Sequence, residues 1–269
     1  NVERNCIYSP DSDLILLAAR PSVGKTSLAM NIVNNAALMG KHKCAVFSLE
    51  MPKEQITQRT LCSVSGVSME KALTGKLTQN DWKALWEGNK KLANAQIFID
   101  DSSMNTAVEV LSKCRRLKRE QGGLDLIMID YLQLMTGSGK TESRQQEISD
   151  ISRGLKALAR ELHVPVISLS QLSRAVEQRP DHRPMLSDLR ESGQLEQDGD
   201  VIIMLKLEKQ SEPGGNRKIF VTKNKEGELF MSLLAFDGKH QTFSKVQRTG
   251  DTVGKFVHDG NKARQNMDD

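Results

Sequence analysis

Cysteine is sparse in this chain: Cys6, Cys44, Cys62 and Cys114 are the four among 269 residues. They form no Cys-x-x-Cys pair and no Cys/His pair at metal-ligand spacing. That excludes a zinc module and a disulfide framework and leaves reduced thiols of a cytosolic protein as the reading. No apolar run approaches the ~18 residues of a membrane-spanning helix, so no membrane partner is expected. No signal-peptide pattern opens the chain. The first residue is Asn1 rather than Met, so the sequence reads as a piece of a longer protein. There is no internal repeat and no low-complexity block. Aromatic side chains make up only 4% of the residues, too few for extended stacking surfaces. Charge is nearly balanced at +4, a surplus that permits a polyanionic partner without requiring one.

What is present is alternation. Apolar runs rich in β-branched residues occur at Leu14–Ala18, Cys44–Leu49, Ile97–Ile99, Leu124–Ile129, Val164–Leu169 and Val201–Leu207. Between them, 27–39, 53–63, 81–93, 107–120 and 145–162 read as helices, with capping boxes at Thr78-x-x-Asp81 and Thr106-x-x-Glu109. Continuous apolar strands alternating with helices predict an α/β fold, a mostly parallel sheet with helices on both faces. After Leu207 the pattern changes to alternating segments at 218–223 and 229–236, joined by a short Asn/Glu/Gly turn. These predict antiparallel edge strands at the C-terminal end. Residues 1–247 read as one domain, and the polar stretch 248–269 as a mobile tail.

The most informative stretch is Pro21-Ser22-Val23-Gly24-Lys25-Thr26, set between the first apolar run and the first helix. Strand, tight loop ending in Gly-Lys-Thr, then helix is the layout of a phosphate-binding P-loop. Backbone N–H groups of such a loop and the helix N-terminus face an anion together. Ser22 to Ser27 are therefore the nucleotide-binding candidates, with Lys25 on the β- and γ-phosphates and the Thr26 hydroxyl toward Mg²⁺. The cofactors implied are ATP and Mg²⁺. One position departs from the pattern: Ala19 stands where the motif has its first Gly. Three further strands end in polar groups. Asp130 closes Leu126–Asp130 and is the metal-supporting candidate. Glu50 follows Val46–Leu49 and is the candidate general base. Gln171 follows Ser168–Ser170 and could contact the γ-phosphate. Two long loops, 137–144 and 173–188, follow strand ends, where open α/β sheets place ligands. Gly139-Lys140-Thr141 lacks a following apolar helix start and reads as loop only.

Together these residues resemble the C-terminal, RecA-like ATPase domain of DnaB-type replicative DNA helicases. The likeness runs from Leu14 to about Phe243. It rests on 18–26, Phe47-Ser48-Leu49-Glu50-Met51, Ile129-Asp130-Tyr131-Leu132-Gln133-Leu134, Leu169-Ser170-Gln171-Leu172-Ser173-Arg174 and Ser187-Asp188-Leu189-Arg190-Glu191-Ser192-Gly193. The family also carries Ala at the position of Ala19. The resemblance implies a homo-hexameric ring with ATP between subunits, single-stranded DNA through the centre, and 5′ to 3′ translocation that unwinds duplex at a replication fork. With the missing signal-peptide pattern it also implies a cytoplasmic location. By the same resemblance Lys25 and Thr26 hold phosphates and Mg²⁺, Glu50 activates water, and Asp130 supports the metal. Gln171 links the γ-phosphate to DNA-contacting loops, and Arg190, Glu191 and Gly193 hold the DNA backbone. With no aromatic in either long loop, backbone tracking fits better than base stacking. A primase and a helicase loader are implied partners, through surface regions or the family's N-terminal domain, which this sequence does not contain. The family's Lys-x-Arg-Asn-Gly stretch, whose Arg reaches a neighbour's γ-phosphate, reads here Lys223-Asn224-Lys225-Glu226-Gly227. Lys225 replaces the Arg without its forked geometry, or Lys223 carries more of the task. The alternative within the same fold is a RecA-type recombinase-like DNA-dependent ATPase.

Overall fold

The computed structural model describes residues 12–102, 106–137, 143–189, 193–208 and 215–246. The N-terminal half runs β1 (Leu14–Ala19), α1 (Lys25–Leu38), β2 (Cys44–Ser48), α2 (Lys53–Ser65), α3 (Met69–Thr74), α4 (Gln79–Ala93), β3 (Ile97–Asp100) and α5 (Ala107–Glu120). It continues with β4 (Leu126–Asp130), α6 (Arg144–Leu162), β5 (Val166–Gln171), α7 (Ala175–Gln178), α8 (Gly193–Asp198), β6 (Val201–Leu207), β7 (Arg217–Asn224), β8 (Phe230–Asp237) and β9 (Thr242–Lys245).

All strands join one sheet in the order β3-β2-β4-β5-β1-β6-β7-β8-β9. Pairings from β3 through β6 are parallel, and those from β6 to β9 antiparallel. This is the expected α/β class with its antiparallel C-terminal edge. Side chains alternate across each strand, so parity decides which layer a residue joins. Ile15, Leu17, Leu126, Met128, Ile167 and Leu169 pack on the face covered by α1, with Val33 and Ala37. Leu14, Leu16, Ile127, Ile129 and Val166 pack on the opposite face with Ile151, Leu155 and Leu158 of α6. Buried on both faces, the central strands are continuous apolar runs, which made them readable.

β4 and β5 begin two residues later than the apolar runs suggested. Leu124 and Val164 are buried but precede the ladder, and Pro165 has no N–H to donate to it. The ladder instead extends through Asp130 and Gln171, which pair with Ser48 and Ala19. Both capping boxes form as expected. The stretch 173–188, read as a loop, contains α7 and a 3-10 turn at Leu186–Asp188. It is pinned by Arg179 Nη1, which donates to Asp188 at 2.8 Å, and by a bridge between Leu172 and Leu189. The stretch 248–269 and Gly139-Lys140-Thr141 lie outside the described residues.

Candidate active site

β1 is central, flanked by β5 and β6, and it delivers the chain into the loop at its C-terminal end. Ala19 is the last residue of β1 and pairs with Gln171 and Leu205. Its backbone is still in the strand, so no glycine is needed there, which accounts for the departure from the motif. The turn comes afterwards, with left-handed backbone at Ser22 (φ 62°) and Gly24 (φ 104°). α1 then starts at Lys25 with no side-chain cap and no acidic residue in its first turn. Its leading N–H groups are thus left for an anion rather than spent on the protein's own carboxylate.

Parity puts Asp130 and Gln171 on the α1 face, the first with Leu126 and Met128, the second with Ile167 and Leu169. Asp130 lies fully buried beneath the loop. Thr26 Oγ1 donates to its Oδ2 at 2.7 Å, and Lys25 Nζ stands 3.8 Å from its Oδ1. The Lys25 ammonium also lies 4.4 Å from the Tyr131 ring centroid. Burial pushes the Asp130 carboxyl above the usual carboxylate range, against the pull of Lys25 and Thr26. Burial likewise pushes Lys25 below the usual lysine range, against Asp130 and Glu50. In both groups desolvation outweighs the pair's mutual attraction. Asp130 Oδ1 accepts no hydrogen bond although it is buried. A hydroxyl beside a carboxylate with an unspent oxygen is a hard-oxygen set that fits Mg²⁺.

Above this pair opens a cleft of ≈ 560 Å³ lined by Ser22, Gly24, Lys25, Thr26, Ser27, Glu50, Gln171, Tyr131, Phe236 and Gln241, among others. It holds the loop residues except Val23, together with the candidate base and the candidate γ-phosphate contact. Val23 is buried behind the loop. Gln171 N–H donates weakly to Gln133 Oε1 at 3.4 Å, and Gln133 Nε2 donates to Ser170 Oγ at 2.9 Å. Glu50 is exposed at the cleft, two residues past β2.

Lys223 and Lys225 are not brought to this cleft. β7 runs antiparallel to β6, so Arg217 lies at the loop end while Asn224 pairs with Val201 at the far end. The Lys225 N–H donates to Asp200 O at 3.0 Å, just ahead of β6. Lys223 Nζ donates to the carbonyls of Glu196 (2.7 Å) and Gln197 (3.1 Å) in α8. Arg190 and Glu191 lie outside the described residues, and Gly193 opens α8. Sequence reasoning missed the lining by Phe236 and Gln241 and the buried Arg217, whose Nε donates to Val23 O at 2.8 Å. A signal for Arg217 was present: alternation in β7 sets it with the inward Ile219 and Val221.

A phosphate cradle between β1 and α1, with a buried acid at the end of β4 and a parallel sheet edged by antiparallel strands, defines a RecA-like P-loop protein. The model of the DnaB-like helicase C terminal domain matches residues 9–245, and the chain belongs to that family. It is 49% identical over 245 residues to the replicative DNA helicase DnaB of Geobacillus stearothermophilus, covering 89% of this chain and 54% of the relative. It is 47% identical over 248 residues to the replicative DNA helicase DnaC of Bacillus subtilis, covering 90% and 54%. The chain thus spans about half the length of these curated relatives. Among solved structures, the ATPase domain of G40P matches with a TM-score of 0.84 at 38% identity, covering 89% of this chain and 86% of that one. A DnaB-like replicative helicase described with its primase interactions also scores 0.84 at 38% identity, covering 88% and 58%.

Proposed function

We propose that this chain is the motor domain of a replicative helicase, using ATP to move along one DNA strand, 5′ to 3′, and part the duplex. One observation carries the reading: the cleft gathers Lys25, Thr26, Glu50 and Gln171 over Asp130, while Lys225 stands at the opposite end of the strands. A lysine there can serve a nucleotide only on another subunit. The site is then completed between neighbours, as a homo-hexameric ring requires.

In this reading the loop N–H groups and Lys25 hold the phosphates. Thr26 and Asp130 hold Mg²⁺, which when bound neutralises charge on the transferred phosphoryl group. Glu50 accepts the proton of the attacking water. Lys225 of the next subunit offers a point charge in place of the fork of an arginine. Gln171 is followed at once by Leu172, which bridges to Leu189, so a shift at Gln171 passes through one bridge to the segment 190–193. There Arg190, Glu191 and Gly193 hold single-stranded DNA through its phosphates. Primase and a loader engage surfaces that include regions outside this chain.

The test is ATP hydrolysis in Mg²⁺ with and without single-stranded DNA across a range of protein concentrations. The expected rate per subunit rises with both. A rate indifferent to both marks a self-contained P-loop enzyme.

A further inference from the structure

Among the described residues, Arg217 is a buried cation that the chemistry above does not use. It is fully buried, on the α1 face beside the apolar Ile219 and Val221. A guanidinium so placed costs free energy unless its donors are satisfied. Its Nε donates to Val23 O at 2.8 Å, and its Nη1 donates to Gly215 O. Its Cζ lies 4.7 Å from the centroid of Phe236, a distance at which the ring face attracts it. Phe236 in turn packs on Phe243, with centroids 4.6 Å apart and planes at 36°. Phe243 Cζ stands 3.2 Å from where a Cβ on Gly24 would be. Arg217, Phe236 and Phe243 therefore close around two consecutive loop residues, gripping the carbonyl of Val23 and backing Gly24.

A trans peptide is planar, with its C=O and the following N–H on opposite sides. Pinning the Val23 carbonyl toward Arg217 aims the Gly24 N–H the other way, away from the guanidinium. The guanidinium also places a fixed positive charge against the loop backbone, buried where charge is felt more strongly than in water.

We propose that Arg217 is a positioning residue for nucleotide binding, one that orients the Val23–Gly24 peptide toward the phosphates and adds a cation behind it. This rests on the reading of the cleft as a nucleotide site.

The experiment is calorimetric titration of the 269-residue chain with MgADP, alongside ATP turnover. Arg217→Met keeps the apolar stem and removes donors and charge. Its affinity falls about tenfold, the order expected for one charge-assisted hydrogen bond, at an unchanged stoichiometry of one nucleotide per chain. Arg217→Lys keeps stem and charge without the fork, and its affinity falls in between. In that variant the loss reads in KM for ATP, with kcat within about twofold of the parent. A role confined to folding gives the contrary signature, fewer competent molecules at an unchanged Kd, and overturns the proposal. So does parental affinity in the folded Met variant. Where Met at this position does not fold, parental affinity in the Lys variant overturns it alone. A parent chain that binds no nucleotide overturns the reading of the cleft itself, a distinct failure.

Discussion

Glu50 and Asp130 are two acids of one cleft with opposite surroundings. Asp130 is fully buried and accepts from Thr26, shut away from the bulk water with which a proton acceptor must exchange. Glu50 is exposed and reaches solvent. Glu50→Gln is therefore expected to keep nucleotide affinity and to slow hydrolysis by about 10²–10⁴-fold, the usual contribution of general acid–base catalysis. Titration with a fluorescent ADP and a phosphate-release assay measure the two separately. A rate within tenfold of the parent removes Glu50 from the mechanism. At this scale the loop and the strand-end acids were legible in the sequence because phosphate chemistry dictates residue type at short spacing. Phe236, Gln241 and Arg217 were not, because their roles depend on strands that return to the loop from far along the chain. The local pattern turns Arg217 inward and sets Phe236 in a half-buried strand and Gln241 in the turn before β9, but names no partner for any of them.

Among the elements, those read well were long or capped. The Thr78 and Thr106 boxes mark the starts of α4 and α5 by a mechanism that needs four residues and no tertiary context. α3 is six residues long and buries none of them, and β9 is four residues of mixed polarity, so neither carries a period long enough to read. The first box also carries a pH signature. Hydrogen bonds from the Thr78 N–H and hydroxyl, joined by Lys71, hold the Asp81 carboxyl down at about 2, from an ordinary 3.8. A carboxylate depressed on folding stabilises fully above its unfolded pKa, and the contribution disappears as pH falls through the folded value. The melting temperature of Asp81→Asn should lie below that of the parent near neutral pH. The gap should narrow as pH drops from 3.8 toward about 2. Thermal melts over that range decide it, and a gap that widens on acidification refutes the assignment.

Across the whole molecule, the phosphate loop and Lys225 occupy opposite ends of the strands. Mixing two defective chains exposes the arrangement. Lys25→Ala and Lys225→Ala should each hydrolyse ATP poorly alone, yet recover activity together, because about a quarter of randomly formed head-to-tail interfaces pair two intact halves. Activity that merely follows the sum of the two separate chains contradicts a shared site. The same sheet has a consequence for synthesis. Val23 is held by Arg217 and Gly24 is backed by Phe243, so a loop made early is braced by strands made late. While the ribosome is still working toward Arg217, the emerging domain owns a phosphate loop with nothing behind it. The loop is braced only once the closing hairpin has cleared the exit tunnel and folded back. Translation of the last strands thus sets the moment at which this loop first gains its backing.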